Sequence, residues 1–304
     1  MMKNFYGTNK KKAYCEGWYL KHQNQQQTVA LIPSYHVDDS GGKFSSLQII
    51  TNPFSRHIPY AAEDFFADKR RFAITLGANI FSRGGIYLNV QRPEFSLTGR
   101  IFYGPFQTLD RDIMGPFRCV PGMQCRHGIL SMEHRLFGYL RLNGSLINFQ
   151  GGTGYIEKDW GCSFPKSYLW TQCNRFGEKD CRIFASVADI PLCGGHFTGC
   201  ICDICYEDKH YRIATYSGAR ARLYNDQKME LKQGAYTLTA DLIDANPRPL
   251  LAPRSGAMAR TIHESAACTV RYRFYRENQC IFDLVSPQAA FEYAGCEAKQ
   301  SACK

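Results

Sequence analysis

No uncharged apolar run in this chain approaches the roughly 20 residues that a membrane-spanning helix needs. An integral helical membrane protein is therefore excluded. The stretch from Met1 to Leu20 carries a basic run at Lys10 to Lys12 but no apolar segment followed by a small-residue cleavage site, so no secretory leader is read and a cytoplasmic location is expected. With no leader in a chain of 304 residues, the 14 cysteines read as free thiols in a reducing compartment and not as a disulfide framework. Paired CxxC turns are missing as well. Cys193, Cys200, Cys202 and Cys205 with His196 form the one dense group, but they fall on an alternating strand pattern, and no metal is expected. Cys162 has neither a helix start nor a partnered histidine in local sequence, so it is not read as a nucleophile. Gly151 to Gly154 has no Lys-Ser/Thr behind it and is a turn, not a phosphate cradle. The net charge of +10 comes from 37 basic and 27 acidic residues scattered along the chain. No aromatic-flanked RNA motif accompanies them, so no nucleic-acid partner is expected; an ordinary solvated basic surface is the leading reading, with weak peripheral contact with an anionic membrane surface as the alternative.

What is abundant is aromatic: 18 Tyr and 20 Phe suit β structure and apolar pockets alike. Short apolar runs alternate with turn signals almost throughout. Thr28 to His36 and Phe44 to Thr51 flank a turn cluster at Asp38 to Gly42, and Phe95 to Tyr103 alternates clearly. Pro59 to Asp68, with Ala61, Ala62, Glu63 and Asp64 behind the proline, predicts one short helix. Gly104 to Cys125 is the longest irregular stretch, of the kind that covers a site. Asn143-Gly144 joins two strands as a type I′ hairpin. The second half repeats the pattern through Val285. The fold class read is all-β, barrel or sandwich, with little helix. Length supports two units, 1–150 and 151–304, divided at the glycines before Tyr155.

The stretch from Gly154 to Phe176, GYIEKDWGCSFPKSYLWTQCNRF, departs from ordinary core strands. A period of two runs through Tyr155, Glu157 and Asp159 and resumes through Tyr168, Trp170, Gln172 and Asn174, with bends at Gly161 and Pro165. Lys158 faces away from both acids. Two carboxylates on one strand face stand about 7 Å apart and titrate as a pair. One reading makes them a proton donor held neutral by burial; the other pairs Glu157 with an arginine and lets Asp159 cap the turn. The rings serve a pocket or a core, and the amides orient a ligand or satisfy backbone groups. Glu16 reads more readily as a buried ion-pair partner than as a pocket group. His127 reads as a hydrogen-bonded structural residue, and Arg260, His263 and Glu264 as possible members of a polar network around the acids.

The same stretch resembles the central motif of the tocopherol cyclase-like family. YCEGWYLKHQN (Tyr14 to Asn24), ALIPSYH (Ala30 to His36), GAMARTIHES (Gly256 to Ser265) and FDLVSPQAAFEYAG (Phe282 to Gly295) agree with it. Asp159 departs from the Asn of the plant and cyanobacterial cyclases, and Cys162 from the Arg of related bacterial proteins. The resemblance implies two tandem lipocalin-like antiparallel barrels and cofactor-free cyclisation of a prenylated quinol or related isoprenoid, with Glu157 and Asp159 as the acids. Trp18, Trp160, Tyr168, Trp170, Gln172 and Asn174 would line the site of this apolar small molecule. A non-catalytic carrier and an isoprenoid double-bond hydratase stand as alternatives.

Overall fold

Alternation in short strands leaves each strand with one apolar face to bury, and the chain buries these faces in two successive antiparallel sheets. A computed structural model describes residues 3–192 and 194–295. The first sheet begins with β1 (Tyr14–Gln23), β2 (Thr28–Val37), β3 (Lys43–Thr51) and β4 (Ser55–Ala61). It continues through β5 (Phe65–Ala67), β6 (Ala73–Leu76), β7 (Asn79–Ser82), β8 (Gly85–Arg92) and β9 (Phe95–Tyr103). β10 (Cys125–Leu142), β11 (Ser145–Asn148) and β12 (Gly152–Gly161) complete it. The second sheet holds β13 (Tyr168–Cys173), β14 (Cys181–Leu192), β15 (Gly195–Tyr206), β16 (Lys209–Ala214) and β17 (Arg220–Tyr224). β18 (Lys228–Gln233), β19 (Tyr236–Asp244), β20 (Arg248–Arg254), β21 (Ala257–Arg276) and β22 (Gln279–Ala294) follow.

Among the described residues neither ladder closes on itself: the first ends at β4 and β5, the second at β16 and β17. Each nonetheless rolls around its own core. Ile58 of β4 and Ala67 of β5, from opposite ends of the first ladder, join one cluster with Leu31, Leu88 and Ile156. Ile213 of β16 and Met229 of β18 meet in the second, with Leu169 and Phe274. The interiors of both rolls are thus filled by side chains, each fully buried Leu, Ile or Phe contributing about 1.5–3 kcal/mol. A ligand-filled lumen, the usual lipocalin arrangement, is not what these sheets build; the open space lies elsewhere.

Asn143 and Gly144 take φ of 48° and 84°, the positive pair that the hairpin between β10 and β11 requires. The helix expected over Pro59 to Asp68 does not form. Tyr60 and Ala61 instead pair with Ser45 and Phe44 of β3, and only Ala62–Asp64 turns as a 3₁₀ segment. Proline and alanine gave the local helical signal, and tertiary pairing overrode it. Gly104 to Gln124 is irregular as expected, apart from a 3₁₀ turn at Gly115–Cys119.

Candidate active site

β12 lies between β1 and β10 in the first sheet, so its outward face meets two neighbours whose side chains complete it. Outward, toward the second sheet, point Tyr155, Glu157 and Asp159. Inward point Ile156, Lys158 and Trp160. In register with the outward set stand Tyr19 of β1 opposite Glu157 and His127 of β10 opposite Asp159. The chain then leaves the first sheet at Gly161, where a Cβ would lie 2.1 Å from the carbonyl oxygen of Gln124, so only glycine fits. The bend to β13 is pinned to the second sheet: Arg260 donates to the carbonyls of Pro165 and Lys166, both at 2.7 Å, and Phe164 N–H to that of Pro253. β13 turns Tyr168 and Trp170 back toward the first sheet, while Leu169 and Thr171 enter the second core.

Between these two facing surfaces opens a cavity of about 190 Å³. Ile32, Met114, Phe117, Met123, Leu250 and Ile262 give it apolar walls, the irregular stretch before β10 supplying three of them. The polar side is narrow and almost wholly buried. Glu157 Oε2 accepts the Tyr155 hydroxyl at 2.5 Å and the Trp170 indole N–H at 3.1 Å. His127 Nε2 lies 3.4 Å from the same oxygen, and its Nδ1 is 2.8 Å from Asp159 Oδ1. The imidazole stacks on Phe184 with ring centroids 4.7 Å apart. Across the cavity, Glu264 of β21 stands opposite Glu292 of β22. Each takes a phenol: Tyr19 donates to Glu264 at 2.5 Å, and Tyr168 donates to Glu292.

Burial dominates the titration of this group. It pushes Glu157 up to about 7, an effect that Asp159 reinforces and His127 opposes. Burial and the charge of Glu292 push Glu264 up to about 8; burial and the charge of Glu157 do the same to Glu292, against the hydrogen bond from Tyr168. His127 moves up as well, for a different reason. Burial disfavours its charge, yet the carboxylates of Asp159 and Glu157 lift it to about 9. With Asp159 part exposed and at hydrogen-bond distance, His127 bridges it to the buried Glu157 carboxyl.

His127, Glu157 and Asp159 also bring ligand-type atoms within 4.8 Å of one another, a donor set of nitrogen and oxygen that a divalent ion accepts. The 2.8 Å separation of Nδ1 and Oδ1 is that of a direct hydrogen bond, and the set is more simply read as a proton-sharing cluster.

Of the residues singled out in the sequence, His127, Glu157, Asp159, Tyr168, Trp170 and Glu264 meet at this cavity. Trp18 does not: it is buried in the first core against Phe5 and Phe65, because alternation turns it away from Tyr19. Trp160 stacks on Tyr6 on that inward side. Gln172 is fully buried off the cavity, and Asn174 donates to the carbonyls of Met132 and Gly154, tying the sheets together. Glu16 is the ion-pair partner it resembled, 2.5 Å from the Lys158 ammonium, which also donates to the carbonyls of Lys3 and Asn4. His263 is exposed, and Arg260 holds the bend. Of the cysteine group, Cys193 lies outside the described residues, while Cys205 Sγ accepts from Arg182 and His196 pairs with Asp189.

The comparisons with known proteins bear on this arrangement. A family model described as tocopherol cyclase-like matches residues 91–295, which include β12, β13 and both later glutamates. A probable chloroplastic tocopherol cyclase from Oryza sativa subsp. japonica is 29% identical over 136 residues, and the chloroplastic tocopherol cyclase of Zea mays 27% over 136. Those matches span 43% of this chain and only 29% of each relative. Among solved structures, a protein described as AttH from Nitrosomonas europaea superposes with a TM-score of 0.56 at 12% identity, covering 92% of both chains. Kievitone hydratase from Nectria haematococca follows with a TM-score of 0.50 at 11% identity, over 94% of this chain and 90% of its own. These two structures share the fold, the tandem lipocalin-like arrangement. With the family model covering most of its length, this chain belongs to the tocopherol cyclase-like family.

Proposed function

We propose that the chain catalyses acid-initiated ring closure of a prenylated quinol or a related isoprenoid, with Glu157 as the proton donor. The observation that carries this reading is a buried carboxyl, raised to about 7, at the wall of a largely apolar cavity. Protonating a trisubstituted alkene needs an acid that remains neutral near neutral pH, in a site that keeps water from the resulting cation. Tyr155 and Trp170 both donate to Oε2, so the transferable proton belongs on Oε1. Those donors, with His127 beside them, then stabilise the carboxylate left behind.

The proton adds to the less substituted alkene carbon, leaving a tertiary cation on its neighbour. The ring faces of Trp170 and Tyr168 stabilise such a cation by about 0.5–2 kcal/mol each. A phenol oxygen held against it closes the ring and sheds its proton, so one proton is added at carbon, one is lost from oxygen, and nothing is oxidised. In this reading Glu264 and Glu292, held largely neutral by burial, orient that hydroxyl, the role assigned from sequence to Gln172 and Asn174, and the proton it sheds passes to the His127–Asp159 pair. The His127–Asp159 pair, with Asp159 part exposed, returns a proton to Glu157.

Incubation with prenylated quinols in D₂O tests this. A product of substrate composition with one carbon-bound deuterium supports cyclisation. A product one water heavier marks a hydratase, and unreacted ligand recovered with no product marks a carrier; either result removes the proposal.

A further inference from the structure

The outer face of the first sheet, on β5 to β11, carries a patch that the cavity does not use. Cross-strand register places Phe66, Thr75, Ile80, Tyr87, Arg100 and Tyr139 in one unbroken row over six strands. Beside it Phe102 pairs with Phe137, and Leu146 with Arg141. Among the described residues, seven of the ten most exposed large apolar side chains lie here, with Phe66 at 64%, Phe102 and Leu146 at 54% and Tyr139 at 52%. Strands that put Val, Leu and Ile on their inner face normally alternate with polar residues outside, so rings on the outer face need another cause.

The charge on this face has one sign. Arg100, Arg135 and Arg141 are exposed among the rings, and the Arg100 guanidinium lies 5.4 Å from the Tyr87 centroid and 5.7 Å from that of Phe102. The other outward positions on β7 to β9 carry Ser82, Asn89, Gln91, Ser96 and Thr98, and the carboxylate on β10, Glu133, is part buried and faces Arg182 of the second sheet. A second copy seated here about a two-fold axis would set guanidiniums against guanidiniums with no counter-charge, which argues against self-association. Rings that are apolar at the body and polar at the tip, interleaved with arginines, match the headgroup level of a bilayer carrying anionic lipid. We propose that this face docks the protein peripherally on an anionic lipid surface, the arginines meeting phosphates and the rings entering the interface. The inference stands apart from the chemistry at Glu157.

Co-sedimentation of the full chain with phosphatidylcholine vesicles, with and without phosphatidylglycerol, tests it. Binding is expected to the anionic vesicles and to fall roughly tenfold or more in Arg100→Gln/Arg141→Gln, and likewise in Phe102→Ser/Tyr139→Ser, with unchanged thermal unfolding. A control pair in the second sheet, Arg222→Gln/Leu223→Ser, is expected to bind as the parent does. Absence of anionic binding, equal loss in the control, tighter retention on single-stranded RNA than on vesicles, or a dimer that the patch variants dissolve would overturn the proposal.

Discussion

Replacing Glu157 by Gln separates the acid from its scaffold more cleanly than any other change in the cavity. The amide keeps the shape of the side chain, and its oxygen can still accept from Tyr155 and Trp170, so the walls stay in place. What disappears is the proton. General acid catalysis contributes about 10²–10⁴-fold, and turnover of a prenylated quinol should fall by that amount, followed as product formed per enzyme by chromatography and mass. Stability should move in the opposite direction, in a pH window that the shift defines. Glu157 rises from 4.5 to about 7, so the folded protein holds a proton that the unfolded chain releases between those values. Its contribution is fully present below pH 4.5 and is lost as pH rises through 7, a change of up to about 3 kcal/mol. The Gln variant has no such loss. Urea unfolding should therefore find it more stable than the parent by up to about 3 kcal/mol at pH 8, relative to their difference at pH 4. Turnover within threefold of the parent, or a stability difference that ignores pH, would refute the assignment.

Other outcomes follow from the same geometry. His127→Gln removes the charge that holds the Glu157 carboxyl down, so the alkaline fall in kcat should shift to higher pH while the maximum drops about tenfold or more. Glu292→Gln keeps an acceptor for Tyr168 but loses the carboxyl that orients the quinol hydroxyl, and should raise KM for the free quinol about tenfold, leaving affinity for its methyl ether unchanged. Lys158→Met strands the buried Glu16 carboxylate and should cost about 3–5 kcal/mol in denaturant unfolding, with no change in the pH profile of whatever turnover remains.

Period-two alternation carried most of the fold and part of the site. It put Glu157, Asp159, Tyr168 and Trp170 on usable faces, turned Lys158 away, and marked the Asn143-Gly144 hairpin. It could not say which strands become neighbours. His127 looks like an isolated histidine until β10 is laid beside β12, thirty-two residues on, and its ring meets Asp159. Glu292 sits in the quoted FEYAG segment, a carboxylate in an otherwise apolar strand end, which was the signal available for it. Its pairing with Glu264 and Tyr168 is a product of the β13–β22–β21 ladder order. Trp18 lies off the site for a local reason: the alternation that brings Tyr19 to the cavity turns Trp18 into the interior of the first sheet. A lipocalin-like pattern also suggests a lumen for the ligand, whereas here the lumens are packed and the cavity forms where two outer faces meet.

The protonation state of Glu157 itself is the most direct test. Infrared difference spectra between the parent and Glu157→Gln, taken at pH 6 and pH 9, isolate the carbonyl stretch of a single protonated carboxyl. A protonated band present at pH 6, gone at pH 9 and missing from the variant is the predicted result. A Glu157 that gives only carboxylate bands at pH 6 would contradict the account.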